Sequence, residues 1–119
     1  MKVEVKVTEI FKKAAKPLIK KYKSCLDDLA ELQAKLLISP ETGTALGNNA
    51  YKIRLRIKSK GKGKSGGARV ISYVEKDLIS IVTVEDEKVI VNLLTVYDKS
   101  EKESITDAEL KELIASLQP

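Results

Sequence analysis

The sequence predicts an α+β fold of the small-sandwich type, with helices against one face of a mainly antiparallel sheet in the order β-α-α-β-β-β-α. Three observations carry that expectation. Residues 2–8 and 51–58 alternate apolar and charged side chains with the period of two that marks a half-buried strand. Between 9 and 37, two runs with apolar residues at three- and four-residue spacing follow each other almost directly, as an antiparallel helix hairpin requires. From 68 to 97 the chain is rich in β-branched residues, and a capping signal then opens a last amphipathic helix. At 119 residues the chain is long enough for a core without disulfides or metal. It reads as one domain over 1–119, without repeats or an internal boundary.

Each element follows from local chemistry. Thr8 is placed to cap a first helix whose apolar stripe is Ile10, Phe11, Ala14, Ala15, Leu18 and Tyr22. Pro17 lies inside that stripe and is expected to kink or split the helix, because it removes a backbone bond at a cost of about 3 kcal/mol. The lysines at 12, 13, 16, 20, 21 and 23 fall on the outer, solvated face. Ser24 and Asp27 read as a capping box for a second helix, with Leu26, Leu29, Ala30, Gln33, Leu36 and Leu37 along its apolar side. Cys25 is a small packing residue near its base. Residues 39–49, with Pro40, Gly43, Gly47, Asn48 and Asn49, read as a loop.

A strand over 51–58 comes next, then a glycine-lysine loop and a strand from about 68 to 75. Residues 78–84 and 88–97 form a hairpin about the acidic turn 85–87, with 68–84 open as one bent strand or two. Residues 89–96 are apolar on nearly both faces, as in a central strand. Thr106 and Glu109 form a second capping box, ahead of the stripe Leu110, Leu113, Ile114 and Leu117.

Charge distribution says more than net charge. The total is +5, of which residues 1–41 hold +3, 42–74 hold +8 without one acidic residue, and 75–119 hold −6. Tyr51, Ile53, Leu55 and Ile57 point to one side of the basic strand, and Lys52, Arg54, Arg56 and Lys58 to the other. Lys60, Lys62 and Lys64 follow in the loop, and Arg69 stands where the chain re-enters the sheet. So dense a row of cations, with nothing nearby to neutralise it, calls for a polyanion, with a phosphate backbone the first candidate. Glycines between lysines let backbone and ammonium groups approach a phosphate, and an arginine fork at a fixed position grips it in two places. Tyr97 and Lys99 share parity at the end of the last strand, an aromatic and a cation suited to a base and its phosphate.

Several chemistries are excluded. Without histidine, the Ser-His, Cys-His and two-histidine mechanisms fall, and with a single cysteine zinc sites fall as well. Residues 61–66 match G-x-G-x-x-G after a strand, but a strand-like segment follows where a dinucleotide site needs a helix. A P-loop would need glycine where Lys58 stands. No cofactor and no metal are expected. Any general base must be Lys, Asp, Glu or Tyr. The absence of a long apolar run and of a signal peptide, with one unpaired cysteine, leads to the expectation of a cytoplasmic protein away from membranes.

Residues Tyr51 to Leu55, Lys62 to Val70 and Leu94 to Glu103 together resemble the RelE/HigB toxins of bacterial type II toxin-antitoxin systems. The resemblance covers nearly the whole chain and agrees with the element order. It implies a metal-independent, ribosome-dependent mRNA endoribonuclease (an mRNA interferase). In such an enzyme the 2′-hydroxyl attacks the adjacent phosphate, and a cognate antitoxin holds the toxin inactive. The implied partners are antitoxin, ribosome and mRNA. By position, Lys52 and Arg54 match two basic residues of the family, one of which serves as base. Arg69 matches the arginine that holds the scissile phosphate, and Lys99 falls near a further family arginine. With Lys64 and Tyr97 these form the expected catalytic set, and Arg56, Lys58, Lys60, Lys62 and Tyr73 the expected RNA contacts. Ile105 stands where RelE carries its stacking tyrosine, which leaves Tyr97, Tyr73 or neither for that role and the acid unassigned. The alternatives are a ParE-like gyrase inhibitor on the same fold and a non-catalytic RNA- or ribosome-binding module.

Overall fold

A computed structural model of the chain describes residues 2–60, 67–78 and 87–117. Five strands form one sheet: β1 (Lys2–Val7), β2 (Thr44–Gly47), β3 (Ala50–Leu55), β4 (Ala68–Leu78) and β5 (Glu87–Asp98). Their spatial order is β1-β5-β4-β3-β2, with β1 parallel to β5 and all other pairs antiparallel. The helices are α1 (Glu9–Lys21), α2 (Cys25–Ile38) and α3 (Asp107–Ala115), and a 3-10 turn (Lys58–Lys60) follows β3.

The expected order holds, with one strand added. Residues 44–47, read as loop, pair with β3 through a turn in which Asn48 and Asn49 have φ of 54° and 64°. Two consecutive left-handed residues are what a two-residue type I′ hairpin demands, and asparagine tolerates that region better than most side chains. Gly43 lies at positive φ just before the strand, where a Cβ would come within 2.6 Å of the Lys52 carbonyl oxygen.

The helices divide between the two faces of the sheet, which corrects the one-face expectation. Phe11, Ala15, Leu18, Cys25, Leu32 and Leu36 of α1 and α2 pack on Ile53, Leu55, Val70, Val91 and Val96. On the opposite face Leu110 of α3 packs with Ala50, Ile71 and Leu94. The β4–β5 ladder carries a register shift: Ile71 pairs with Thr95 and Ser72 with Leu93, so Leu94 is the extra residue. The bulge inverts the alternation, so that Val89, Val91 and Leu93 before it and Val96 after it all face the first core, while Leu94 and Tyr97 both face the second.

Local expectations met mixed outcomes. Thr8 caps α1 by accepting the Phe11 N–H at 3.1 Å, and its hydroxyl donates to the Leu93 carbonyl. Helix α1 runs through Pro17 without a break. Pro17 is exposed, so water can serve the carbonyl one turn back that lost its partner. Ser24 precedes α2 but does not cap it, because its hydroxyl donates to Asp28 Oδ2 at 2.7 Å and takes the Ser59 N–H. The buried side of α2 is Cys25, Asp28, Leu32 and Leu36, whereas Leu26 and Leu37 are exposed. The box at Thr106 and Glu109 forms in both directions, each bond 3.1 Å. Strand β4 is continuous over 68–78, while the rest of the expected 78–84 strand and most of the acidic turn lie outside the described residues. Among the described residues no helix is long and apolar enough to cross a membrane.

Candidate anion-binding face

The face under α3 holds three of the cations that the sequence singled out, Lys52, Arg54 and Arg69. Across the sheet Arg54 lies opposite Arg69, and Arg69 opposite Tyr97. Residues directly opposite one another in a ladder share a face, so these three form one row, with neighbouring strands about 4.8 Å apart. The next row is Lys52, Ile71 and Thr95. Lys52 is half-buried and Arg54 exposed, so the row opens to solvent on the β3 side.

Arg69 sets the character of the site. It is only 8% exposed, and its Nη1 donates to the Ala68 carbonyl at 3.0 Å. Among the described residues no carboxylate lies within ion-pair distance of it. A desolvated guanidinium without a counter-charge costs several kcal/mol, and an oxyanion with two or three oxygens is its natural complement.

Tyr97 borders this position. Its hydroxyl is buried and has no hydrogen-bond partner among the described residues. Burial pushes its pKa up, and the charges of Arg69 and Lys102 offset that only in part, so the phenol is protonated at neutral pH. Lys102, which the sequence reading passed over, stands 5.8 Å from the Tyr97 ring centroid and pairs with Glu109. A cleft of about 370 Å³ lies beside it, lined by Thr95, Tyr97, Lys102, Ile105, Glu109 and Leu113 among others.

The remaining expected residues scatter. Tyr73 shares the face but sits four residues along β4 from Arg69, about 13 Å at strand spacing. Arg56 is exposed beyond the end of β3. Lys58 turns toward α2, where its Nζ lies 2.5 Å from Glu31 Oε1, and that hydrogen bond is the main cause of its raised pKa. Lys60 is drawn inward to Asp98, 2.9 Å away, with only 13% of its side chain exposed. The idea of a cation row with nothing to neutralise it therefore fails at these two positions. The acids come from elsewhere in the chain, on α2 and β5. Lys99 lies in the turn after β5, and its ammonium donates to the Glu103 carbonyl at 2.9 Å. Lys62 and Lys64 lie outside the described residues.

Cys25 is fully buried, and burial followed by the charge of Asp28 raises its thiol pKa, the opposite of nucleophile activation. No cluster of three metal-ligating side chains occurs among the described residues.

No protein-family model matches the chain. Among solved structures, a double arginine-to-alanine mutant of the E. coli toxin RelE in the free state superimposes on it with a TM-score of 0.55. The match takes in 99% of this chain and 100% of that one, at 21% sequence identity. The chain has the RelE fold. RelE is a toxin by name.

Proposed function

We propose that the protein is a RelE-type toxin that cleaves ribosome-bound mRNA and is held in check by a cognate antitoxin. The observation that carries the proposal is Arg69, a buried guanidinium without a carboxylate partner among the described residues, aligned with Arg54 on an open sheet face. A scissile phosphate supplies the missing counter-charge. Arg69 and Arg54 grip its non-bridging oxygens, and their charge is aimed where a dianionic phosphorane develops. The 2′-oxygen bonds to phosphorus as the bond to the 5′-oxygen breaks. Lys52, in the row next to Arg54 and Arg69, accepts the 2′ proton, and the departing oxygen takes a proton from solvent. The products are a 2′,3′-cyclic phosphate and a free 5′-hydroxyl. The Tyr97 hydroxyl is covered, so Tyr97 acts here as the wall beside Arg69 and not as a proton donor. Such modest acid–base equipment fits an enzyme whose substrate the ribosome orients, because alignment alone supplies several kcal/mol. The reading also places the protein in the cytoplasm, where translated messages are.

The test is induced expression of the wild type and of Arg69→Ala, with mapping of mRNA 5′ ends. New ends within translated regions, absent in the variant, are the expected result. Growth arrest without new ends, accompanied by DNA damage, would instead indicate a gyrase-directed toxin. Salt-sensitive RNA binding without cleavage would leave only a binding module.

A further inference from the structure

The Asp98 carboxylate is completely buried at the end of β5 and has no place in the chemistry above. Its Oδ1 accepts from Lys60 Nζ at 2.9 Å and from the backbone N–H and hydroxyl of Ser100 at 2.9 and 2.7 Å. Its Oδ2 accepts from the Tyr22 hydroxyl at 2.6 Å. Burial alone would raise its pKa, but the bonds from Tyr22, Lys60 and Ser100 outweigh it and hold the group well below the usual carboxylate range. Lys60 also stands 5.3 Å from the centre of the Tyr22 ring.

The position of this network matters more than its strength. Lys60 is the last described residue before 61–66, and Gly67 the first after it. Asp98 holds Lys60 by its side chain. Next door, the Lys99 N–H donates to the Gly67 carbonyl at 3.1 Å, and Ala68 pairs with Asp98 itself in the ladder. Lys60 through its side chain, and Gly67 and Ala68 through the backbone, are therefore all tied to the Asp98–Lys99 segment. One position further along each strand stand Arg69 and Tyr97, directly opposite. Gly67 leaves no slack, since a Cβ there would lie 2.4 Å from the Leu55 carbonyl oxygen.

We infer that Asp98 is a positioning residue. Through Lys60 and the 98–100 turn it fixes the start of β4, and with it the Arg69 guanidinium, relative to Arg54. This rests on the anion-site reading of the proposed function but not on cleavage.

The test compares wild type, Asp98→Asn and the double variant Lys60→Met with Asp98→Asn by two NMR measurements. Amide exchange is followed at Lys99 and Lys60, with Val91 as an internal reference, and inorganic phosphate is titrated while the Arg69 side-chain resonance is observed. In Asp98→Asn, exchange at Lys99 and Lys60 is expected to accelerate about tenfold against an unchanged Val91, the mark of local loosening. Phosphate affinity at Arg69 is expected to fall at least about fivefold, a positioning loss that a displacement below 1 Å suffices to cause. The double variant removes the stranded charge and regains thermal stability without regaining phosphate affinity. Recovery of affinity together with stability would overturn the inference, since Asp98 would then act only on global stability. Unchanged exchange at Lys99 would also overturn it. Failure of the wild type to bind phosphate at Arg69 would refute the anion site itself, and normal phosphate binding without RNA cleavage would refute only the nuclease reading.

Discussion

Replacing Arg69 by methionine separates a residue kept for function from one kept for stability. Arg69 is 8% exposed as a residue, and its guanidinium donates to the Ala68 carbonyl and has no carboxylate partner among the described residues. Its desolvation costs several kcal/mol, and the one bond returns about 1 kcal/mol. Methionine has similar length and no charge, and the Ile71 and Tyr97 side of the sheet offers it apolar neighbours. The variant is therefore expected to gain about 1–2 kcal/mol, as buried charges replaced by apolar isosteres commonly do. At this chain length that is a rise in Tm of roughly 3–6 °C per kcal/mol. Inorganic phosphate at about ten times its dissociation constant should stabilise the wild type by about 1.4 kcal/mol, and the variant not at all. Ribosome-dependent cleavage should fall about a thousandfold, the usual loss for one charge-stabilising donor. Thermal denaturation by circular dichroism with and without phosphate reads the first two quantities. A variant that loses more than about 1 kcal/mol and still cleaves would show that Arg69 is satisfied within the protein, and the reasoning would be wrong.

Other expectations follow from the same structure. Asp98 has a folded-state pKa lowered relative to the unfolded chain, so its stabilisation is complete above the ordinary carboxylate pKa and is lost as pH falls below about 4. Acid unfolding of the wild type should therefore be steeper than that of the double variant Lys60→Met with Asp98→Asn, as followed by far-ultraviolet circular dichroism from pH 6 to 2. Thr106→Ala removes one half of the capping box of α3 and should cost about 1 kcal/mol in urea unfolding. Gly67→Ala forces a Cβ against the Leu55 carbonyl and should destabilise by a few kcal/mol, with the loss visible as a lower urea midpoint. Lys58→Ala, whose ammonium already pairs with Glu31, should leave RNA affinity within about twofold, whereas Lys52→Ala should weaken it and lower the salt slope by about one contact.

How far the sequence reveals this molecule depends on where the determining contacts lie. Strand β3 was legible because alternation is local: Ile53 and Leu55 must go to one face and Lys52 and Arg54 to the other. The Thr106 box and the Thr8 cap were legible for the same reason. The β2 hairpin carried a signal in the pair Asn48 and Asn49, two residues that tolerate positive φ, but Pro40, Gly43 and Gly47 ahead of it made the stretch look like loop. The division of helices between faces was not legible, because the stripe of α3 shows that it packs on the sheet but not on which side, and the change of parity at Leu94 is announced by no periodicity. Within the site, parity placed Lys52 and Arg54 on one face, but the row Arg54, Arg69 and Tyr97 is set by cross-strand register, and the expected pairing of Tyr97 with Lys99 does not form because β5 ends at Asp98. Lys60 and Lys58 do not join that row, since their partners Asp98 and Glu31 lie 38 and 27 residues away in sequence. Charge counted along a chain says nothing of charge supplied across a fold.

The central claim is best tested with purified protein, 70S ribosomes and a defined message in the A site, followed by end-group analysis of the fragments. The account predicts cleavage that needs the ribosome and Arg69, leaving a 2′,3′-cyclic phosphate and a 5′-hydroxyl. Fragments bearing a 5′-phosphate, or cleavage that persists in Arg69→Ala, would contradict it.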